Sequence, residues 1–277
     1  MSFRFLLPAA SLALSGCAAV IDQSSFFPRA SVPPQSTLAA PTGYTLDDAI
    51  ITLPGLGRVH AVRLDNPASD ATIIYAGGNM GFVSGQSKTA AALAKATNAD
   101  IILYDYPGRG GSDSVATIDA SIAFGPSFMD AVRAKGWIGS GPLFFYGFSF
   151  GGSQAAGLAR GAGAAGLIIE GSAADLAAVG RNFVPGALKP FVRLRVDPDL
   201  ARFDYLGYAV SAKAPVMLIM SEKDKVVRPR NMAAFADQLR ERGVTVTTVT
   251  VPGGHGSALQ QPAAIAAIEA FVIKRGK

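Results

Sequence analysis

The sequence predicts an α/β protein whose mostly parallel, eight-stranded sheet carries helices on both faces. Short apolar runs alternate with helix-length segments from about residue 70 onward, the pattern of strands returned by crossover helices. Before that, runs at 49–53 and 58–64 flank Pro54-Gly55-Leu56-Gly57 and read as an antiparallel hairpin. The alternation breaks once, at 173–210, where aromatic residues mix with Arg181, Lys189, Arg193, Arg195 and Arg202. An insertion after a strand is where a lid over a pocket would sit.

Taken in order, further strands are expected at 71–76, from Leu143, and at 101–104, 166–169, 215–220 and 245–251. Helices are expected at 86–97, 124–134, 153–160, 230–242 and 262–274. Hydrophobic residues make up 49% of the 277 and charged ones 16%, which suits a large buried core and excludes general disorder. The net charge of +5 is scattered. With no basic stripe, zinc-finger spacing or aromatic–basic alternation, no nucleic-acid partner is expected, and a basic balance favours an anionic membrane surface instead.

The start of the chain has its own logic. Arg4 precedes an apolar stretch from Phe5 to Leu14, which is too short to span a bilayer, and Leu14-Ser15-Gly16-Cys17 follows. This stretch resembles the bacterial lipobox. The resemblance implies a signal peptide over 1–16, a lipid on Cys17 and a location in the cell envelope. With Ala18 next, it further implies outer-membrane sorting toward the periplasm if the host is Gram-negative. Residues 17–45 read as the lipidated Cys17 and a tether, 18–45 being rich in Pro, Ser, Ala and Gln, from which Phe26 and Phe27 could dock on the domain. Residues 46–277 form the folded domain. Cys17 is the single cysteine, so no internal disulfide is available.

Chemistry centres on Gly147-Phe148-Ser149-Phe150-Gly151, where an apolar run meets a segment of small residues. Such a turn lifts a serine oxygen above a sheet and leaves it at a helix N-terminus. With 31 glycines in the chain, composition alone would yield this motif in about a quarter of such sequences, so partners must be found. A serine hydroxyl needs a base. Of two histidines, His60 lies inside a strand, whereas His255 follows the last strand among glycines and is the expected base. Asp224, at the end of the preceding strand, is the expected acid, with Glu222 and Asp175 as rivals. The expected oxyanion donors are the Phe150 backbone N–H and one from the Gly77-Gly78-Asn79-Met80-Gly81 loop.

The order Ser149, Asp224, His255 is that of the α/β-hydrolases. Residues from about 46 to 275 resemble that fold, in particular its compact exported or membrane-associated branch of depalmitoylase-like and esterase-like serine hydrolases. The resemblance rests on Tyr75-Ala76-Gly77-Gly78-Asn79-Met80-Gly81 against H-G-N-x-G, on Asp105-Tyr106-Pro107-Gly108-Arg109-Gly110-Gly111-Ser112 against D-Y-x-G-x-G-x-S, on the elbow and on the segments around Asp224 and His255. By this match Asn79 is the second oxyanion donor. Gly77 departs from the family, which has a histidine there to brace the loop. The resemblance implies acyl transfer from a small-molecule ester or thioester through a Ser149 acyl-enzyme. A peptidase of the same fold and a non-catalytic envelope lipoprotein are the alternatives. No metal-ligand cluster or phosphate-binding glycine loop is evident, so no metal or other cofactor is expected.

Overall fold

The computed structural model describes residues 17–27, 37–79, 81–113 and 116–274. The expected signal segment 1–16 and residues 28–36 of the expected tether lie outside these, as do Met80 and the side chains of Cys17 and Phe26. In chain order the elements are β1 (Cys17–Ile21), α1 (Gln23–Phe26), β2 (Thr45–Leu53), β3 (Gly57–Asp65), β4 (Thr72–Ala76), α2 (Ser87–Thr97), β5 (Asp100–Tyr104) and α3 (Ile118–Ala134). There follow β6 (Leu143–Phe148), α4 (Phe150–Ala159), β7 (Gly166–Glu170), α5 (Leu176–Gly180), β8 (Val192–Val196), α6 (Pro198–Ala201) and α7 (Tyr205–Ser211). The chain closes with β9 (Val216–Ser221), α8 (Pro229–Glu241), β10 (Val246–Val251) and α9 (Pro262–Ile273).

Eight strands form one sheet in the order β10-β9-β7-β6-β4-β5-β3-β2. The hairpin β2–β3 and the pair β3–β5 are antiparallel; the other pairs in this sheet are parallel. β4, β5 and β7 are buried along their whole length, as their unbroken apolar runs require in a sheet covered on both sides. Successive side chains serve opposite faces. Phe144 and Tyr146 join a core with α2 and α9, whereas Phe145 joins the core beneath α3, α4, α7 and α8. The predicted α/β architecture is thus the observed one.

Two local differences have physical causes. Helix α3 begins at Ile118, six residues before the expected start, because the Thr117 side chain accepts the Ala120 N–H at 3.1 Å and caps it. The helix carries Pro126 in its interior, which disguises its periodicity. The expected tether is docked at its beginning: β1 pairs in parallel with β8, and Ile21 lies against Gly180 and Leu194. Apolar burial against the insertion outweighs the composition that suggested a free linker. Phe27 also docks, edge-on to Phe150 with ring centroids 6.4 Å apart.

Within 173–210 the aromatic residues divide. Phe203, Tyr205 and Tyr208 enter the main core, where α7 crosses α4 as the return to β9, whereas Phe183 and Phe191 are exposed.

His60 is not near the elbow's partners. It joins the hairpin to the loop after β5, with Nδ1 2.8 Å from Asp105 Oδ2 and Nε2 2.9 Å from Asp48 Oδ1. The hydrogen bond to Asp105 is the main cause raising its pKa above 6.5; partial burial opposes this, and the charges of Asp105 and Asp48 add to it. A raised histidine contributes stability that is fully present below the unfolded value and lost as pH rises through the folded one. Thermal unfolding between about pH 6 and pH 9 is therefore expected to show a stability decline that His60→Ala removes. At the acid end the variant should be less stable by roughly 1–3 kcal/mol, as for a lost charge-assisted hydrogen bond.

Candidate active site

Ser149 stands between the end of β6 and the start of α4 with φ 53° and ψ −120°, a conformation that L-residues with a side chain avoid. Close backbone approach makes the turn possible. A Cβ on Gly147 would sit 2.3 Å from the Gly151 carbonyl oxygen, and one on Gly151 would sit 2.0 Å from the Ala76 carbonyl oxygen. Glycine is required at both places. The Ser149 N–H donates to the Glu170 carbonyl at 2.8 Å, which ties the elbow to the end of β7.

The three residues expected to act together do meet. His255 Nε2 lies 2.8 Å from Ser149 Oγ, and its Nδ1 lies 2.7 Å from Asp224 Oδ2. Asp224 is buried, and its Oδ1 accepts the Val226 and Val227 N–H groups at 2.8 and 2.9 Å. That leaves Oδ2 aimed at the imidazole. Of the rivals, Glu222 is exposed and Asp175 caps α5 by accepting the Ala178 N–H at 2.9 Å. The Lys223 N–H donates to the Gly253 carbonyl at 2.9 Å, so the loops bearing Asp224 and His255 are fastened together. The Phe148 ring backs the imidazole, with centroids 4.9 Å apart.

The loop after β4 starts beside the elbow because Ala76 is in register with Gly147. The Gly78 carbonyl accepts the Gly81 N–H at 2.8 Å. A trans peptide is planar, so this aims the Asn79 N–H the opposite way. Where the resembling family has a histidine at position 77, this chain braces the loop from the Asp105 motif. Tyr106 Oη donates to the Gly77 carbonyl at 2.5 Å, and the Arg109 guanidinium donates to the Asn79 carbonyl. Tyr106 also stands edge-on to Phe150, centroids 5.2 Å apart. Asp105 in turn accepts the Val83 and Gly111 N–H groups at 2.9 and 3.0 Å.

Sequence reasoning quoted Tyr106 and Arg109 only as motif letters, and it missed Glu170 altogether. This buried carboxylate accepts the Tyr146 hydroxyl at 2.8 Å and the Ala258 N–H at 3.1 Å. Through Ala258 it holds the chain just beyond His255. Burial is the main cause raising its pKa above 4.5. A lone charged residue ending an apolar strand was the available signal.

A cavity of about 620 Å³ opens at Ser149 and Asn79, of the size that takes a small organic ligand. Its walls include Leu176, Val179 and Val196 from the insertion and Val226 and Val227 beside Asp224. Among the described residues no group of His, Cys, Asp and Glu could hold a metal ion.

The sheet order and the strand-to-helix turn at Ser149 are those of the α/β-hydrolase fold, and comparisons with known proteins show the same fold. An esterase of Pyrococcus furiosus superposes with a TM-score of 0.68 at 17% identity, covering 89% of this chain and all of that one. A Pyrobaculum calidifontis esterase gives 0.59 at 19% identity, covering 84% and 87%. Carboxyl esterase 2 of the fungus Tuber melanosporum gives 0.61 at 18% identity, covering 92% and 96%. At this identity the likeness is one of fold. Residues 199–275 match the prolyl oligopeptidase family, a segment that contains Asp224 and His255 but not Ser149. No curated protein sequence matches significantly.

If Tyr106 and Arg109 hold the oxyanion loop, Tyr106→Phe and Arg109→Ala should each lower kcat on p-nitrophenyl esters roughly tenfold to a hundredfold. KM should change little, because a displaced donor is missed mainly in the transition state. A rise in KM alone would assign the pair to substrate binding.

Proposed function

We propose that this protein is a serine hydrolase cleaving carboxylic esters or thioesters of short to medium acyl chains. The observation that carries the reading is the unbroken Ser149–His255–Asp224 relay, at 2.8 and 2.7 Å, opening into a cavity with apolar walls.

His255 Nε2 takes the proton as Ser149 Oγ attacks the carbonyl carbon, while Asp224 holds Nδ1–H and stabilises the imidazolium. The Phe150 and Asn79 N–H groups receive the oxyanion, with Phe150 at the start of α4 where the helix dipole favours negative charge. The protonated His255 then releases the leaving alcohol or thiol. Water activated by the same imidazole frees the acid from the Ser149 ester.

A peptidase is the second reading, favoured by the prolyl oligopeptidase match over 199–275. A non-catalytic envelope lipoprotein is disfavoured, because a binding protein has no need of a complete relay. A fluorophosphonate probe is expected to label the wild type and not Ser149→Ala. His255→Ala should lose about as much activity as Ser149→Ala, since triad members act as a unit. Absence of labelling, or equal labelling of Ser149→Ala, would sink the hydrolase reading. Aminoacyl amides turned over faster than every p-nitrophenyl ester in a chain-length series would replace esterase by peptidase.

Anchoring is a separate proposal, supported by Leu14-Ser15-Gly16-Cys17 after a short apolar stretch. It places the protein on a lipid at Cys17, in the bacterial outer membrane facing the periplasm. Cys17→Ser is expected to move the protein from the membrane to the soluble fraction; retention in the membrane would count against the lipid.

A further inference from the structure

The segment between β7 and α7 is amphipathic in three dimensions. Its inner side chains, Leu176, Val179, Val196 and Leu200, line the cavity at Ser149. On the outer side, Phe183 is 65% exposed, Phe191 51%, Leu188 50% and the adjoining Val20 of β1 57%. These four account for most of the large exposed apolar side chains among the described residues, the others being Leu46, Ile50 and Ile273. A cluster of this kind marks an interaction surface, whereas isolated exposed residues do not.

The cluster is also cationic. Between Asp175 and Asp197 the chain carries Arg181, Lys189, Arg193 and Arg195 and no carboxylate. Arg193 and Arg195 are the exposed positions of β8, and no hydrogen bond or ion pair with another described residue reaches either side chain. Val20 stands opposite Arg195 in the β1–β8 register. The Arg181 guanidinium donates to the Lys189 carbonyl at 3.2 Å and joins the Phe183 turn to the Leu188–Phe191 turn.

We propose that this outer face docks on an anionic phospholipid bilayer. Aromatic and aliphatic tips enter the headgroup boundary while arginine and lysine meet lipid phosphates, the arrangement that suits an interface. The apolar tips lie beside arginines that no carboxylate of the segment 176–196 neutralises, which matches an apolar layer bordered by phosphates. Docking there sets the insertion between bilayer and cavity, within reach of acyl chains in the membrane.

The surface stands independently of the hydrolase reading, and the experiment separates the two. Trp137 is buried and is the single tryptophan, so Phe183→Trp and Phe191→Trp report on their own positions against a constant background. Ile50→Trp, on β2 at the far edge of the sheet, is the control. The full chain is mixed with vesicles of phosphatidylglycerol and brominated phosphatidylcholine. Quenching is expected at 183 and 191 and not at 50. It should weaken roughly fivefold for each of Arg193→Gln and Arg195→Gln. Hydrolysis of a soluble ester should persist in these variants, and its loss in Ser149→Ala should leave the quenching intact. The proposal is overturned by equal quenching at 50, by none at 183 and 191, or by the same quenching without phosphatidylglycerol. It is also overturned if residues 183 and 191 already emit as buried tryptophans without vesicles, since the chain itself or a second copy would then cover the face.

Discussion

Ser149 is held at φ 53°, and the helix and loop that border it are set by the same turn. Such a conformation costs on the order of 1–3 kcal/mol and survives only where surrounding structure leaves no alternative. Here the constraint is backbone against backbone. Gly151 sits so close to the Ala76 carbonyl that the helix carrying Phe150 and the loop carrying Asn79 cannot shift independently. One contact therefore sets Ser149, the helix N-terminus beside it and the start of the loop carrying Asn79. The Ser149 N–H bond to the Glu170 carbonyl closes the arrangement on the other side.

Polar side chains then connect the parts that backbone contact does not. The Asp105 motif reaches the oxyanion loop through Tyr106 and Arg109, and reaches the hairpin through His60. Glu170 reaches from β7 to Ala258, beyond His255. Tyr106 and Arg109 fix the loop beside Ser149, and Glu170 fixes the chain beyond His255. Gly77 brings no side chain to its loop, whose carbonyls at Gly77 and Asn79 are instead held by Tyr106 and Arg109 from another strand's loop.

The relay was legible in the sequence because its residues follow three strands of one sheet, β6, β9 and β10, and strand ends are visible as apolar runs that stop. Asp224 was the expected acid over Glu222 and Asp175, but all three leave strands as loop carboxylates and the sequence does not show what separates them. Only the two amides of Val226 and Val227, which occupy one Asp224 oxygen, distinguish it. The docking of β1 was equally hidden, because five residues of a Pro- and Ser-rich region pair with a partner far along the chain. The fate of the aromatic residues in 173–210 depended on the crossing of α7 over α4, which composition cannot express.

The same crossing bears on the choice of substrate. Two carboxylates, Asp175 and Asp204, border the cavity and could hold a cationic or amide group. Each already spends one oxygen on a helix cap, with Asp175 accepting from Ala178 and Asp204 from Gly207, both at 2.9 Å. A peptide entering the cavity would bring several N–H and C=O groups to walls made largely of Leu, Val, Phe and Tyr side chains. Leaving such groups without partners costs about 1–3 kcal/mol each, whereas an acyl chain gains about 0.8 kcal/mol for each buried methylene. On the proposed hydrolase reading, these walls suit an acyl group better than a peptide, although residues 199–275 match the prolyl oligopeptidase family.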